Sequence, residues 1–210
     1  TDIQVLLIDD ASTDNTAEIA RCHPNLVHYV RNERNLGAGG AWKRGIELAT
    51  GKYLVKLDAD DQLLPGHLDA VEKAFEANPG AAMVVSSVLL KNENSGETRE
   101  EIVSCEDKAL GAEEFRQKFM SDFFFRMPGC ALRMTNLAGH EGPDDRLFQI
   151  HDWEYFLRVT KGHGAVMLSA PTAVYREHDS SVSATARNEE RLLKDVKRWI
   201  DLAGRPGVHR

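Results

Sequence analysis

What constrains this chain most is a regular alternation of apolar runs and helix-forming stretches over residues 3–90. The runs are "IQVLLID" (3–9), "LVHYVRN" (26–32), "YLVKLD" (53–58) and "AAMVVSSVLL" (81–90). Each is short, rich in Val, Ile and Leu, and bounded by polar or turn-forming residues. The stretches between them carry helix punctuation. "STDNTAEIARC" opens on capping side chains, "NLGAGGAWKRGIELATG" ends at Gly51, and "PGHLDAVEKAFEANP" lies between Pro65 and Pro79. Strands apolar at most positions are covered on both faces, and parallel neighbours need crossover helices. The expectation is an α/β, Rossmann-like fold with a mostly parallel sheet flanked by helices.

After residue 90 the pattern becomes mixed. "KNENSGETREE" (91–101) reads as an exposed loop or hairpin connection, and "GAEEFRQKFMSDFFFR" as a helix running into aromatics. "GCALRM" reads as a strand and "HDWEYFLRVTKG" as a helix ended by Gly162. "GAVMLS" and "TAVYREHD" read as two short strands separated by Ala170 and Pro171. "ARNEERLLKDVKRWIDLAG" is a charged amphipathic helix, with Leu193 among the residues expected to face the core. With 210 residues and no internal repeat, the organisation expected is one domain. Residues 1–90 are expected to form a nucleotide-binding-like half, 91–184 a mixed half that would complete a site, and 185–210 a C-terminal helix and tail.

Composition excludes several functions. A net charge of -7 without a long basic run argues against a nucleic-acid partner, which needs a concentrated positive face. The longest apolar stretch, 81–90, is too short to span a bilayer, and the chain opens on a core strand rather than a leader. Cys22, Cys105 and Cys130 are odd in number and widely spaced, which fits reduced, mostly buried thiols in a cytoplasm.

Function concentrates in "LVKLDADDQ" (54–62), where three aspartates occupy four positions after an apolar run. In an open α/β sheet, ligands bind beyond the carboxyl ends of the strands. Asp9 and Asp10 close one strand in the same manner. On an extended backbone Asp58 and Asp60 would point to one side, and such oxygen ligands suit Mg2+ or Mn2+. Asp60 or Asp61 could instead cap the helix beginning near Pro65. An EF-hand is excluded because its sixth position, Leu63, is not glycine, and the phosphatase pattern Asp-x-Asp-x-Thr fails at Gln62.

"VLLIDDASTDNT", "NLGAGGAWKRGIELATGKYLVKLDADD", "DWEYFLR" and "YREHDSSVSA" together resemble the family 2 inverting glycosyltransferases of the GT-A fold, from residue 3 to about 184. The resemblance implies that Asp10, with Asp9 beside it, reads the nucleotide base. Asp58 and Asp60 become the Asp-x-Asp motif, with Asp60 on a divalent cation, Mn2+ or Mg2+, that bridges the donor diphosphate. It implies Asp152 as the general base, His178 as a further metal ligand, and Arg176 as a contact to the diphosphate. A helix N-terminus would lower the pKa of Asp152 and burial against Trp153 would raise it; an ordinary N-cap is the alternative for this residue.

The implied reaction is inverting transfer from a UDP- or dTDP-linked sugar to an acceptor hydroxyl, on a polysaccharide or a lipid-linked glycan. The implied location is cytoplasmic, either free or at the cytoplasmic face of a membrane. The alternatives are a non-catalytic nucleotide-sugar-binding module and a sugar nucleotidyltransferase. The sequence departs from the family at His151, where Glu is usual, at Lys43, where Asn is common, and in "GHEGPDDRLF" before the base helix. The family's first strand is expected upstream of Thr1, which reads this chain as a fragment rather than a naturally short domain.

Overall fold

The computed structural model describes residues 2–23, 28–121, 124–144, 146–147, 150–179 and 193–198. Its strands in chain order are β1 (Leu6–Asp9), β2 (His28–Arg31), β3 (Tyr53–Val55), β4 (Gln62–Leu63), β5 (Ala81–Asn92), β6 (Thr98–Glu101), β7 (Lys108–Leu110), β8 (Cys130–Arg133) and β9 (Gly164–Glu177). Its helices are α1 (Thr16–Cys22), α2 (Gly37–Leu48), α3 (His67–Ala77), α4 (Ala112–Ser121) and α5 (His151–Val159). The chain divides into two compact units. One comprises Thr1–Gly51, Gly139–Phe156 and Ala186–Arg210; the other comprises Lys52–Ala138 and Leu157–Thr185.

In the first unit β1 and β2 pair in parallel, Leu6 opposite His28 and Asp9 opposite Arg31. The turn after β1 places Ala11 at φ 62, a left-handed conformation that costs a residue with a Cβ. Trp42 of α2 is buried and meets Tyr155 and Phe156 of α5 edge-on, at centroid distances of 5.1 and 5.6 Å. Such aromatic pairs contribute beyond their buried area. They fix the start of α5 against α2.

The second unit is built on a seven-stranded sheet with the path β3-β8-β5-β9-β4, β6 pairing with β5 and β7 with β9. Strands β3, β5 and β9 run in one direction, as the alternation implies, because β3 and β5 are both antiparallel to β8 while β5 and β9 are parallel. The expectation of a mostly parallel sheet needs correction at the level of pairing. Among the described residues β1–β2 and β5–β9 are the parallel pairs, and β3–β8, β4–β9, β5–β6, β5–β8 and β7–β9 are antiparallel. The physical reason is that β8 enters between β3 and β5, and the polar 91–101 segment closes a hairpin rather than a crossover.

Strand β5 is buried from Ala81 through Val88, its two serines included, as a strand covered on both faces requires. Helix α3 covers it with Val71, Ala74 and Phe75, buried at helical spacing. Arg133 of β8 closes the far end of α3: its guanidinium donates to the carbonyls of Phe75, Asn78 and Ala81 and lies over the Phe75 ring. A cation at a helix C-terminus is favoured by the carbonyl dipoles there.

Three further expectations change. Ala170 and Pro171 do not divide two strands, because β9 is continuous and absorbs them as a bulge between the Ser86–Leu168 and Ser87–Pro171 pairs. A bulge leaves the proline without a ladder bond to make, and Asp107 accepts hydrogen bonds from the Ser169 N–H and hydroxyl. The cysteines are free but not mostly buried: Cys22 ends α1 and Cys105 sits in the β6–β7 loop, both exposed, while Cys130 is buried in the sheet. In the C-terminal segment residues 193–198 are helical, yet Leu193 is 61% exposed and Asp195 is the buried position; the rest of that predicted helix lies outside the described residues. No helix among the described residues is long and apolar enough to cross a membrane.

The bulge also organises a buried polar chain. Thr172 donates to Ser86 Oγ at 2.6 Å and accepts from His67 Nδ1 at 2.8 Å, while Ser86 Oγ donates to the Gly129 carbonyl. A Cβ on Gly129 would stand 2.7 Å from the Ser86 carbonyl oxygen, so only glycine fits there. His67 is 1% exposed, its Nε2 has no partner, and burial pushes its pKa down. The folded protein therefore refuses a proton that the unfolded chain accepts. Stability should be full above the unfolded histidine value, about 6.5, and should fall as pH drops below it, by at most about 1.4 kcal/mol per pH unit. Urea midpoints between pH 5.5 and 7.5 should show this slope in the wild type and a smaller one in His67→Asn.

Candidate functional site

The acids at the end of β1 are fully engaged by protein groups. Asp9, 2% exposed, accepts from the Ser12 N–H at 2.8 Å, the Tyr29 hydroxyl at 2.5 Å and Arg31 Nη1 at 2.6 Å. Burial alone would raise its pKa, but these hydrogen bonds and the Arg31 charge outweigh it and hold the carboxyl well below the usual range. Arg31 Nη2 also donates to the Ser12 carbonyl at 2.6 Å, so the pair fixes the turn that follows β1.

Asp10 serves a different element. Its two oxygens accept from the Leu36 N–H at 2.8 and 3.0 Å, the Gly37 N–H at 2.8 Å and Asn32 Nδ2 at 2.9 Å. The N-cap residue of α2 is Leu36, whose side chain offers no hydrogen bond. Asp10 supplies that cap from another element, where the helix dipole favours an anion. Sequence reading did not foresee this, because the partner N–H groups lie 26 and 27 positions away. The signal was the Gly-rich start of α2, with Gly37 at φ 76 and an N-cap residue, Leu36, that has no capping side chain.

Asp152 lies in the first turn of α5, half-buried, and its Oδ1 accepts the Trp153 N–H at 2.7 Å. The departing residue before it, His151, is buried and lies edge-on to Trp42, with ring centroids 6.3 Å apart. Lys43, the second departure, is exposed, and its stem packs so closely on Gly142 that a Cβ there would be 2.6 Å from Lys43 Cγ. The base-helix approach is thereby packed against α2.

In the second unit the aspartate cluster is a turn, not an extended strand. The Asp61 N–H donates to the Asp58 carbonyl at 3.0 Å, which sends Asp58 and Asp60 to different partners. Asp58 pairs with Lys56. Asp60 Oδ2 lies 3.1 Å from His178 Nε2, joining positions 118 apart in sequence. Strand pairing explains this meeting. β4 runs antiparallel to β9 with Gln62 opposite Val174 and Leu63 opposite Ala173, so the preceding loop lies along the end of β9. Neither Asp60 nor Asp61 caps α3, whose N-cap is Gly66.

Asp61 is the residue that the sequence reading undervalued. It is 7% exposed, its Oδ1 accepts the Arg176 N–H at 3.0 Å, and its Oδ2 has no partner. Burial, with Asp60 and Asp58 beside it, pushes its pKa up to about 6, against the Arg176 hydrogen bond. Arg176 in turn donates through Nε to the Asp60 carbonyl.

These residues fit a divalent cation. Two ligands in adjacent positions of an octahedral ion, each about 2.1 Å from it, stand about 3.0 Å apart. Asp60 and His178 meet each other directly, in a hydrogen bond or ion pair of 3.1 Å, a separation close to that edge. Among the described residues no cluster of three or more His, Cys, Asp and Glu side chains is placed to hold a metal. A two-ligand set leaves the remaining positions to water and phosphate, the manner in which Mg2+-type sites are commonly held.

Residues 1–140 match the family described as Glycosyl transferase family 2. The GalNAc(5)-diNAcBac-PP-undecaprenol beta-1,3-glucosyltransferase of Campylobacter jejuni is 26% identical over 212 residues, covering 92% of this chain and 68% of that protein. The crystal structure of S. aureus TarS 1–349 in complex with UDP is similar at a TM-score of 0.66 and 15% identity, over 93% of this chain and 62% of that one. The mannosyltransferase PcManGT from Pyrobaculum calidifontis, in complex with GDP-Man and Mn2+, is similar at a TM-score of 0.61 and 21% identity, over 94% and 55%. The chain spans only 20% and 52% of the length of two further curated relatives, both named glycosyltransferases. With its α/β sheet, its acid-ended strands and this match, the chain belongs to glycosyl transferase family 2 and has the GT-A fold.

Proposed function

We propose that this chain carries the donor site and the general base of an inverting glycosyltransferase that uses a UDP- or dTDP-linked sugar. The observation that carries the reading is the Asp60–His178 pair, at the spacing of adjacent ligands on one ion. A divalent cation, Mn2+ or Mg2+, bound there would stabilise the charge that develops on the departing diphosphate. Asp58 and the acids at the end of β1 are assigned to the nucleotide. Asp9 acts through the Ser12 turn that it holds, and Asp10 stands beside the N–H groups opening α2. Arg176 is assigned to the diphosphate through the part of its guanidinium not engaged by Asp60.

Asp152 is assigned the acceptor proton. The acceptor oxygen forms its bond to the anomeric carbon while the bond from that carbon to the diphosphate oxygen breaks. The proton passes to Asp152 and the electron pair leaves with the diphosphate. The acceptor is a hydroxyl of a polysaccharide or lipid-linked glycan, a class supported by the undecaprenol-linked substrate in the name of the Campylobacter relative. With a lipid-linked acceptor, the protein would work in the cytoplasm at the membrane face.

The test is a thermal-shift panel of UDP, dTDP and GDP, with and without Mn2+. Stabilisation by a nucleoside diphosphate should require the ion, and Asp60→Asn should abolish that dependence while leaving the apo melting temperature close to wild type. Metal-dependent binding that survives unchanged in the variant removes Asp60 from the site.

Asp10→Ala should weaken UDP binding by about 5- to 150-fold, the loss of a hydrogen bond to the nucleotide of about 1–3 kcal/mol. The same substitution should lower stability by about 0.5–2 kcal/mol through the lost α2 cap. Calorimetry and urea unfolding separate the two effects. Unchanged UDP affinity confines Asp10 to capping.

Asp152→Asn should preserve donor affinity and folding while reducing sugar transfer, or donor hydrolysis, by about 10²–10⁴-fold. Full turnover in this variant rules out the proton-accepting role. Donor binding without turnover in the wild type would identify a nucleotide-sugar-binding module instead.

A further inference from the structure

The loop of residues 58–61 and the end of β9 hold each other by a reciprocal pair of bonds. The Asp61 side chain accepts the backbone N–H of Arg176 at 3.0 Å, and the Arg176 side chain donates to the backbone carbonyl of Asp60. Each residue thus grips the main chain beside the other. Both bonds flank the Asp60–His178 pair: one ends on Asp60 itself, the other two positions before His178. We propose that Asp61 is a positioning residue whose clasp with Arg176 sets the separation of Asp60 and His178 before any ion arrives. This inference rests on the assignment of those two side chains to a divalent cation.

Three observations support the assignment. Asp61 is 7% exposed and its Oδ2 makes no hydrogen bond, so the carboxyl group is bound into the fold through Oδ1 alone. An acid kept in such a place beside two others is an unfavourable choice unless the bond through Oδ1 serves a purpose. Next, β4 is only Gln62–Leu63, so ladder bonds to β9 stop before the loop begins. Before Gln62 the loop is tied to β9 through Asp61, Arg176 and the Asp60–His178 contact. Last, Asp60 and His178 are both partly exposed, with side-chain exposures of 44% and 26%, and packing alone does not confine them. Groups that orient metal ligands are worth about 10- to 100-fold in metal affinity.

The experiment combines a Mn2+ titration by calorimetry with hydrogen exchange of the metal-free protein, on wild type, Asp61→Ala and Asp61→Asn. Asp61→Ala should bind Mn2+ about 10- to 100-fold more weakly, and the Arg176 amide should exchange faster, with the global melting temperature close to wild type. Asp61→Asn keeps an oxygen that can accept the same N–H, and should restore both Mn2+ affinity and protection at Arg176. Unchanged Mn2+ affinity in Asp61→Ala overturns the proposal. So does an equal loss in both variants, which would make Asp61 a ligand or a needed charge rather than a holder. Wild-type protein that binds no Mn2+ overturns the metal assignment, and the exchange data then judge the clasp separately: unchanged Arg176 exchange in Asp61→Ala shows that it holds nothing.

Discussion

The parallel pairing of β5 with β9 is the constraint on which the second unit depends. It runs from Ala81 opposite Gly164 to Asn92 opposite Glu177, and no other described pair extends as far. Because β5 is buried along most of its length, a register slip would move its apolar side chains off the core of α3 and β8. The register therefore resists displacement, and with it the position of residues 176–178. β4 then adds to the other edge of β9 and brings the aspartate loop beside them. Asp60 and His178 are partly exposed, but their placement derives from a buried ladder.

The bulge in β9 shows how that ladder accommodates residues that oppose it. Ser169 and Ala170, and Thr172 after the paired Pro171, interrupt the pairing, and their polar groups find partners. Asp107 binds Ser169, while Thr172, Ser86 and His67 form a chain inside the sheet. Buried polar chains of this kind are costly when incomplete, and the unpartnered His67 Nε2 is its open end. The same chain connects the start of α3 to β9, the strand that His178 directly follows.

The aspartates illustrate how one residue type takes different roles according to what surrounds it. Asp9 is neutralised by Arg31 and held by Tyr29 and Ser12, Asp10 by the N-terminus of α2, and Asp58 by Lys56. Asp61 has burial and a single N–H, and its carboxyl is pushed up to about 6. Asp60 has His178. A dication reverses the repulsion within such a cluster, because it replaces neighbouring anions as the largest local charge.

Much of this was legible in the chain itself. Apolar runs at 3–9, 53–58 and 81–90 specify strands, and acids at the ends of the first two specify a site beyond the sheet. The order of the four motif blocks specified the family. What the sequence could not carry is which groups a side chain meets across the fold. Asp10 looked free to read a base, yet it caps a helix that begins 27 positions later. Pro171 looked like a strand end, yet the bulge retains it. Asp61 looked like a local cap, yet its partner is 115 positions away. Local pattern reports periodicity, chain reversal and propensity, all decided within a few residues. Hydrogen-bond partners across a sheet depend on register and strand order, and those are fixed only when the whole core packs at once.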